Sequence, residues 1–127
     1  MEVEMTWHEE LPEQCPPADA LPLEGFFCFR LCDAAEPNEE DFLSHRQKAP
    51  HQRYNAPECI ARAVSVFKQR VDAEDLLKLS AHRNKSVVRL KLMSQDGVAK
   101  KTGKKSHHSW WRSSLFDISR AVVEEDA

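Results

Sequence analysis

Glycine is scarce in this 127-residue chain, which has only Gly25, Gly97 and Gly103. Phosphate-cradling loops and nucleophile elbows need closely spaced glycines where the backbone turns tightly or approaches a ligand, so G-x-G-x-x-G, P-loop and G-x-S-x-G motifs are excluded. P-loop nucleotide hydrolases, Rossmann dehydrogenases and α/β-hydrolases go with them. No H-E-x-x-H pair is present, which removes the zincin peptidases. No apolar run approaches the roughly 18 residues of a membrane-spanning helix. The acidic start MEVEMTWHEELPEQ lacks the basic and then apolar character of a secretory leader. These absences predict a cytoplasmic protein with no membrane partner.

Cysteine is limited to Cys15, Cys28, Cys32 and Cys59, without the paired C-x-x-C spacing of a zinc site. For a cytosolic chain the expectation is four reduced thiols, with Cys28 and Cys32 packing a strand. Adjacent histidines on a regular strand cannot both face one ion, so no metal is expected.

What is present fits one small domain: 41% hydrophobic and 31% charged residues. The net charge of −3 conceals a division. Residues 1–41 carry −11, residues 42–116 carry +11, and residues 117–127 carry −3. Such asymmetry points to an anionic partner or to an acidic segment covering a basic face. Four of the seven prolines fall within residues 1–23. That stretch has no apolar periodicity and reads as an extended acidic arm ahead of a domain over 24–127, either wrapping the domain with Trp7 and Leu11 as anchors or ordering only on binding a partner.

Phe26–Cys32 reads as an aromatic-rich strand following Gly25. Alternation places Phe27, Phe29 and Leu31 on one face and Phe26, Cys28, Arg30 and Cys32 on the other. Arg30 is the lone charge in that strand, and a half-buried arginine calls for a carboxylate or a bound anion. Asn38 is placed to cap a short helix with Asp41 three residues on. Gln47–Tyr54 reads as loop, and Asn55 with Pro57 as a second helix start. Val64–Phe67 reads as a buried strand, Asp72–Ala81 as a helix with a leucine stripe, and Ser86–Met93 as a half-buried strand. A basic loop then leads to a strand at His107–Trp111, with a last short strand at Ala121–Val123. The expected fold class is α+β: a small, mostly antiparallel sheet with two or three short helices.

The segment KKTGKKSHHSWWR gathers Lys100, Lys101, Lys104, Lys105 and Arg112 beside Trp110 and Trp111. Cations that neutralise phosphates and indoles that stack on bases make these seven residues the candidate surface for a nucleic acid or nucleotide. His107 and His108 point to opposite faces of a strand, so one of them can enter a cleft as an acid–base group.

The ordered set FFCFRL, DFLSHR, PECIARAVSVF and KTGKKSHHSWW resembles a family of small bacterial proteins without an assigned activity. More distantly, a strand arginine, a serine on a second strand and a late polar strand are similar to the ADP-ribosyltransferase-like fold. That resemblance implies that Arg30 would hold a dinucleotide phosphate, Ser65 would line the pocket, and His107 or His108 would contact the ribose or nicotinamide of NAD. The leading expectation is a bacterial accessory or binding protein working with a larger partner, of toxin–antitoxin, mobile-element or defence type, and needing no cofactor. The alternative is an NAD-consuming enzyme.

Overall fold

A computed structural model describes residues 5–33 and 36–124. The chain forms an α+β fold around one six-stranded antiparallel sheet. The strands are β1 (Leu21–Pro22), β2 (Phe26–Cys32), β3 (Val64–Phe67), β4 (Ser86–Leu92), β5 (Gly97–Lys101) and β6 (His107–Arg112). Their order across the sheet is β1-β5-β6-β3-β2-β4. Four short helices flank it: α1 (His45–Lys48), α2 (Glu58–Ala61), α3 (Arg70–Leu76) and α4 (Ile118–Ala121). No helix among the described residues is long and apolar enough to cross a membrane.

Strand alternation fixes which residues share a face. Registered pairs Cys28–Leu90, Phe26–Leu92, Val64–Trp110 and Ala99–Trp110 put these side chains on one side of the sheet. There Trp110 stacks edge-on against Phe116 at 4.8 Å, and Phe116 meets Phe42 at 5.2 Å. All three are buried. Burial of each such ring contributes on the order of 2–3 kcal/mol, which makes this the centre of the core. The opposite face carries Phe67, His107, Ser109 and Trp111 by the same alternation.

Gly97 makes the turn into β5 possible. Its φ is +128°, and a Cβ there would lie 2.0 Å from the Trp111 carbonyl oxygen. Beside it Asp96 is fully buried. Its carboxylate accepts from the Met93 amide at 2.7 Å and pairs with Arg120, while its carbonyl accepts from Trp110 Nε1 at 2.9 Å.

Several local expectations fail where tertiary contacts prevail. Gly97–Lys101, expected within a loop, is a strand because β6 folds back on it as a hairpin. Ala121–Val123 is not a strand: Ile118–Ala121 is helical, capped by the Asp117 side chain, and only Val122 bridges to Leu90. The helix expected over Asp72–Ala81 begins earlier and ends at Leu76. Asn38 does cap a short 3-10 helix, Glu39–Phe42, with the reciprocal bond from Asp41.

The four-thiol expectation is also corrected. Cys15 and Cys59 form a disulfide with their Cα atoms 5.6 Å apart, while Cys28 and Cys32 are free and buried. The acidic arm folds back along the domain, which brings together cysteines 44 residues apart. Its other attachments include a bridge from Trp7 to Ser113, the β1–β5 pairing, and a bond from Arg62 to the Glu10 carbonyl. Residues 1–4 of the arm and 125–127 of the domain lie outside the described residues.

Candidate functional site

Strands β2 and β3 share a single registered pair, Phe29–Phe67. Beyond it they splay, and the Arg30 side chain fills the split. Its Nη1 donates to the Ser65 carbonyl and its Nε to the Asp41 carbonyl, each at 2.6 Å. The partners are main-chain oxygens and not a carboxylate of the chain, one of the two expected partners; the other, a bound anion, is untouched by these bonds. The Asp41 carboxylate is committed elsewhere, accepting from the Asp33 and Asn38 amides at 2.9 Å. Arg30 thus enters this site with its charge only indirectly offset; burial draws its pKa down, and the nearby Asp41 and Asp33 draw it up.

The split opens into a cavity of about 390 Å³. Leu31, Leu43, Ala63, Phe67 and Leu76 supply its apolar walls. Arg30, Lys48 and Lys85 supply positive charge, His45, His82 and His107 supply imidazoles, and Asp33 is the one carboxylate lining it among the described residues. Ser65 lines it too. The volume lies at the lower end of the roughly 300–1,000 Å³ typical of small-molecule sites.

The charges in this cavity oppose one another. Lys48 is held below its ordinary pKa by burial first and then by Arg30 and Lys85, with Asp33 acting against them. His45 is lowered by burial, then by Arg30, Lys48, His107 and Lys85. His107 is lowered by burial and by His108 and Lys101, against a raising bond to Thr102. A cluster of cations depressing one another's protonation is a site whose electrostatics favour an added anion.

The hairpin Lys100–Arg112 has a different part from the one its composition suggests. Trp110 and Trp111 are both fully buried, so neither indole can stack on a base. Trp111 donates from Nε1 to the Cys59 carbonyl at 2.9 Å. Arg112 is buried as well, bonded to the Phe42 carbonyl at 3.1 Å and to both Glu39 carboxylate oxygens at 2.6 and 2.7 Å. Lys105 pairs with Asp75 and Lys100 with Asp19, each at 2.9 Å. Lys104 and Lys101 are exposed. These seven residues therefore form no continuous basic and aromatic surface, because β-sheet alternation and core packing claim the large side chains.

Instead, the hairpin turn holds His107. Its Nδ1 lies 3.1 Å from the Thr102 carbonyl oxygen and 3.1 Å from the Thr102 hydroxyl, which continues to the Ser109 hydroxyl at 2.7 Å. A carbonyl can only accept, so Nδ1 carries the proton and Nε2 keeps its lone pair. Gly103, at φ +64°, lies against the ring, and a Cβ there would stand 3.1 Å from Nδ1. His108 is fixed in the same tautomer by the Ser106 carbonyl at 2.8 Å, but on the other face of the sheet.

Of the four acid–base and ligand candidates, Arg30, Ser65 and His107 line one cavity, and His108 does not. Sequence reading missed His45, Lys48, His82 and Lys85. They come from two polar stretches, HRQK and HRNK, which are indistinguishable from solvated loops until the chain folds. Comparison with known proteins finds no matching family model, no similar curated protein and no similar solved structure.

Proposed function

We propose that the protein is a binding module for a small organic phosphate, of about the size of a nucleoside monophosphate, held in the cavity between β2, β3 and the α1 and α3 segments. The carrying observation is the convergence of Arg30, Lys48 and Lys85 on one cavity that has five apolar lining residues and a single carboxylate. Fixed cations neutralise the phosphate, while Leu31, Leu43, Phe67 and Leu76 cover the organic part. This carries forward the expectation of an anionic ligand but moves it from the lysine hairpin to the cavity.

Isothermal titration with AMP tests the reading. Saturable binding that weakens about tenfold in Lys85→Ala and falls with added salt is expected. Absence of binding at millimolar AMP, or affinity indifferent to Lys85, overturns it.

The NAD-consuming reading keeps one favourable observation: Arg30, Ser65 and His107 line the same cavity. No glutamate among the described residues lines it, however, and NAD turnover by the purified protein is the measurement that would raise this reading above binding. The accessory role beside a larger bacterial partner remains part of the proposal. Its support is surface apolar side chains, among them Leu21 at 69% and Leu115 at 64% exposure. On compartment, the Cys15–Cys59 disulfide weighs against the cytoplasm, since such bonds persist chiefly where the milieu is oxidising.

A further inference from the structure

His107 and His108 are consecutive on β6 and open onto two different cavities. The second, also about 390 Å³, lies on the core face beneath the folded-back arm. Its walls are Leu21, Pro22 and Leu23 from the arm, Phe26 from β2 and Ala99 from β5, and its polar lining is Asp19, Lys100, Lys101 and His108. Among the described residues no arginine lines it, and the apolar residues outnumber the charged ones. His108, 5.3 Å from Phe26 between ring centres, has its Nδ1 proton engaged by Ser106, and its Nε2 has no partner among the described residues.

The rim already carries a carboxylate. Asp19 Oδ2 lies 2.9 Å from Lys100 Nζ, with the two side chains 68% and 36% exposed. An ion pair this open to water is weak and is readily exchanged for another carboxylate. Lys101 forms no ion pair among the described residues and stands across from His108 in the β5–β6 register.

We propose that this second cavity binds an apolar carboxylate. The carboxylate lies at the Lys101 and His108 end, with Lys100 at the rim, and the hydrocarbon lies on Leu21, Leu23, Phe26 and Ala99. Asp19, paired with Lys100, is the built-in competitor for that one cation. The apolar lining favours a hydrocarbon tail, and the rim already seats a carboxylate, that of Asp19, 2.9 Å from Lys100 Nζ, so a carboxylate head group on an apolar tail fits both ends of the cavity. The inference is independent of the first cavity, because the two lie on opposite faces of the sheet.

Titration with octanoate, followed by calorimetry and by the His108 imidazole proton signals, tests it. Expected are saturable binding with a shift of the His108 signals, affinity at least fivefold weaker in Lys101→Ala, and affinity two- to fivefold tighter in Asp19→Asn. Lys85→Ala, in the first cavity, leaves octanoate affinity unchanged. Equal binding of uncharged octanol overturns the carboxylate assignment. No saturable octanoate binding, or a loss caused by Lys85→Ala and not by Lys101→Ala, overturns the site. An Asp19→Asn variant with unaltered affinity overturns the competitor. Unchanged unfolding curves for these three surface variants separate loss of binding from loss of fold.

Discussion

Arg30 spans the split between β2 and β3 to reach the carbonyl oxygen of Ser65, at 2.6 Å. A main-chain oxygen that would otherwise pair within the sheet is satisfied by a side chain, and the guanidinium's remaining N–H groups stay available to the cavity. One residue thereby closes a gap in the sheet and charges the site.

Structural and ligand roles at the cavity separate by substitution. Arg30→Met strands the Ser65 and Asp41 carbonyls and should cost about 2–4 kcal/mol of stability together with AMP binding. Lys85→Ala should cost less than about 0.5 kcal/mol while lowering AMP affinity about tenfold. Urea unfolding beside calorimetric titration measures both, and an Arg30→Met protein as stable as the parent contradicts the bridging role.

Acid should weaken the free protein and strengthen its hold on anions. His45 and His107 have folded-state pKa values below the ordinary value near 6.5. The unfolded chain therefore takes up protons first, and the stability tied to these groups, present above about pH 6.5, is lost as pH falls through that value toward their folded pKa. A bound anion offsets the repulsion and raises both pKa values, so binding takes up protons. Sulfate keeps its charge over this range, and its affinity should rise from pH 8 to pH 6. Calorimetry in buffers of different ionisation heat counts the protons. Zero uptake contradicts the linkage.

Gly97 and Gly25 should respond unequally to alanine. At Gly97 a Cβ meets the Trp111 carbonyl oxygen at 2.0 Å, whereas at Gly25 the nearest atom is the flexible Lys91 side chain at 3.8 Å. Gly25→Ala carries the left-handed backbone cost alone, about 1 kcal/mol. Gly97→Ala must also displace β6 and should exceed about 3 kcal/mol, or fail to fold. Denaturation midpoints of the two variants rank the effects.

Reducing the Cys15–Cys59 bond frees the arm from α2. Closing a loop of this separation stabilises by about 2–4 kcal/mol, so a Cys15→Ser, Cys59→Ser protein should melt several degrees lower. Limited proteolysis should then cut first within residues 9–20. Cys28 and Cys32 should stay unmodified by thiol reagents in the folded state: burial raises both thiols, Cys32 to about 12, against the opposing charge of Arg30.

The strands at Phe26–Cys32, Val64–Phe67 and Ser86–Leu92 were legible because one apolar face repeats every second residue, a local property of the chain. The Asn38 cap and the opposite facing of His107 and His108 were legible for the same local reason. The cavity was not, since Arg30, His45, Lys48, Ser65, Lys85 and His107 come from five segments, and the charge of each segment reads as ordinary surface. Trp110 and Trp111 misled because adjacency on a strand fixes only that two side chains diverge. That both are covered depends on Phe116 against Trp110 on one side and on α2 against Trp111 on the other.

By itself, then, the sequence determined the α+β class, the core strands and which of their side chains share a face, and the division of charge between residues 1–41 and 42–116. Periodicity, capping and composition act within a few residues, so they survive in the linear chain. Only the tertiary structure decided that Cys15 meets Cys59, that the hairpin's tryptophans are core while its turn positions His107, and that scattered cations enclose one cavity. Those outcomes depend on which distant segments share a surface. That is settled by the global balance of burial against chain entropy, and no local pattern records it.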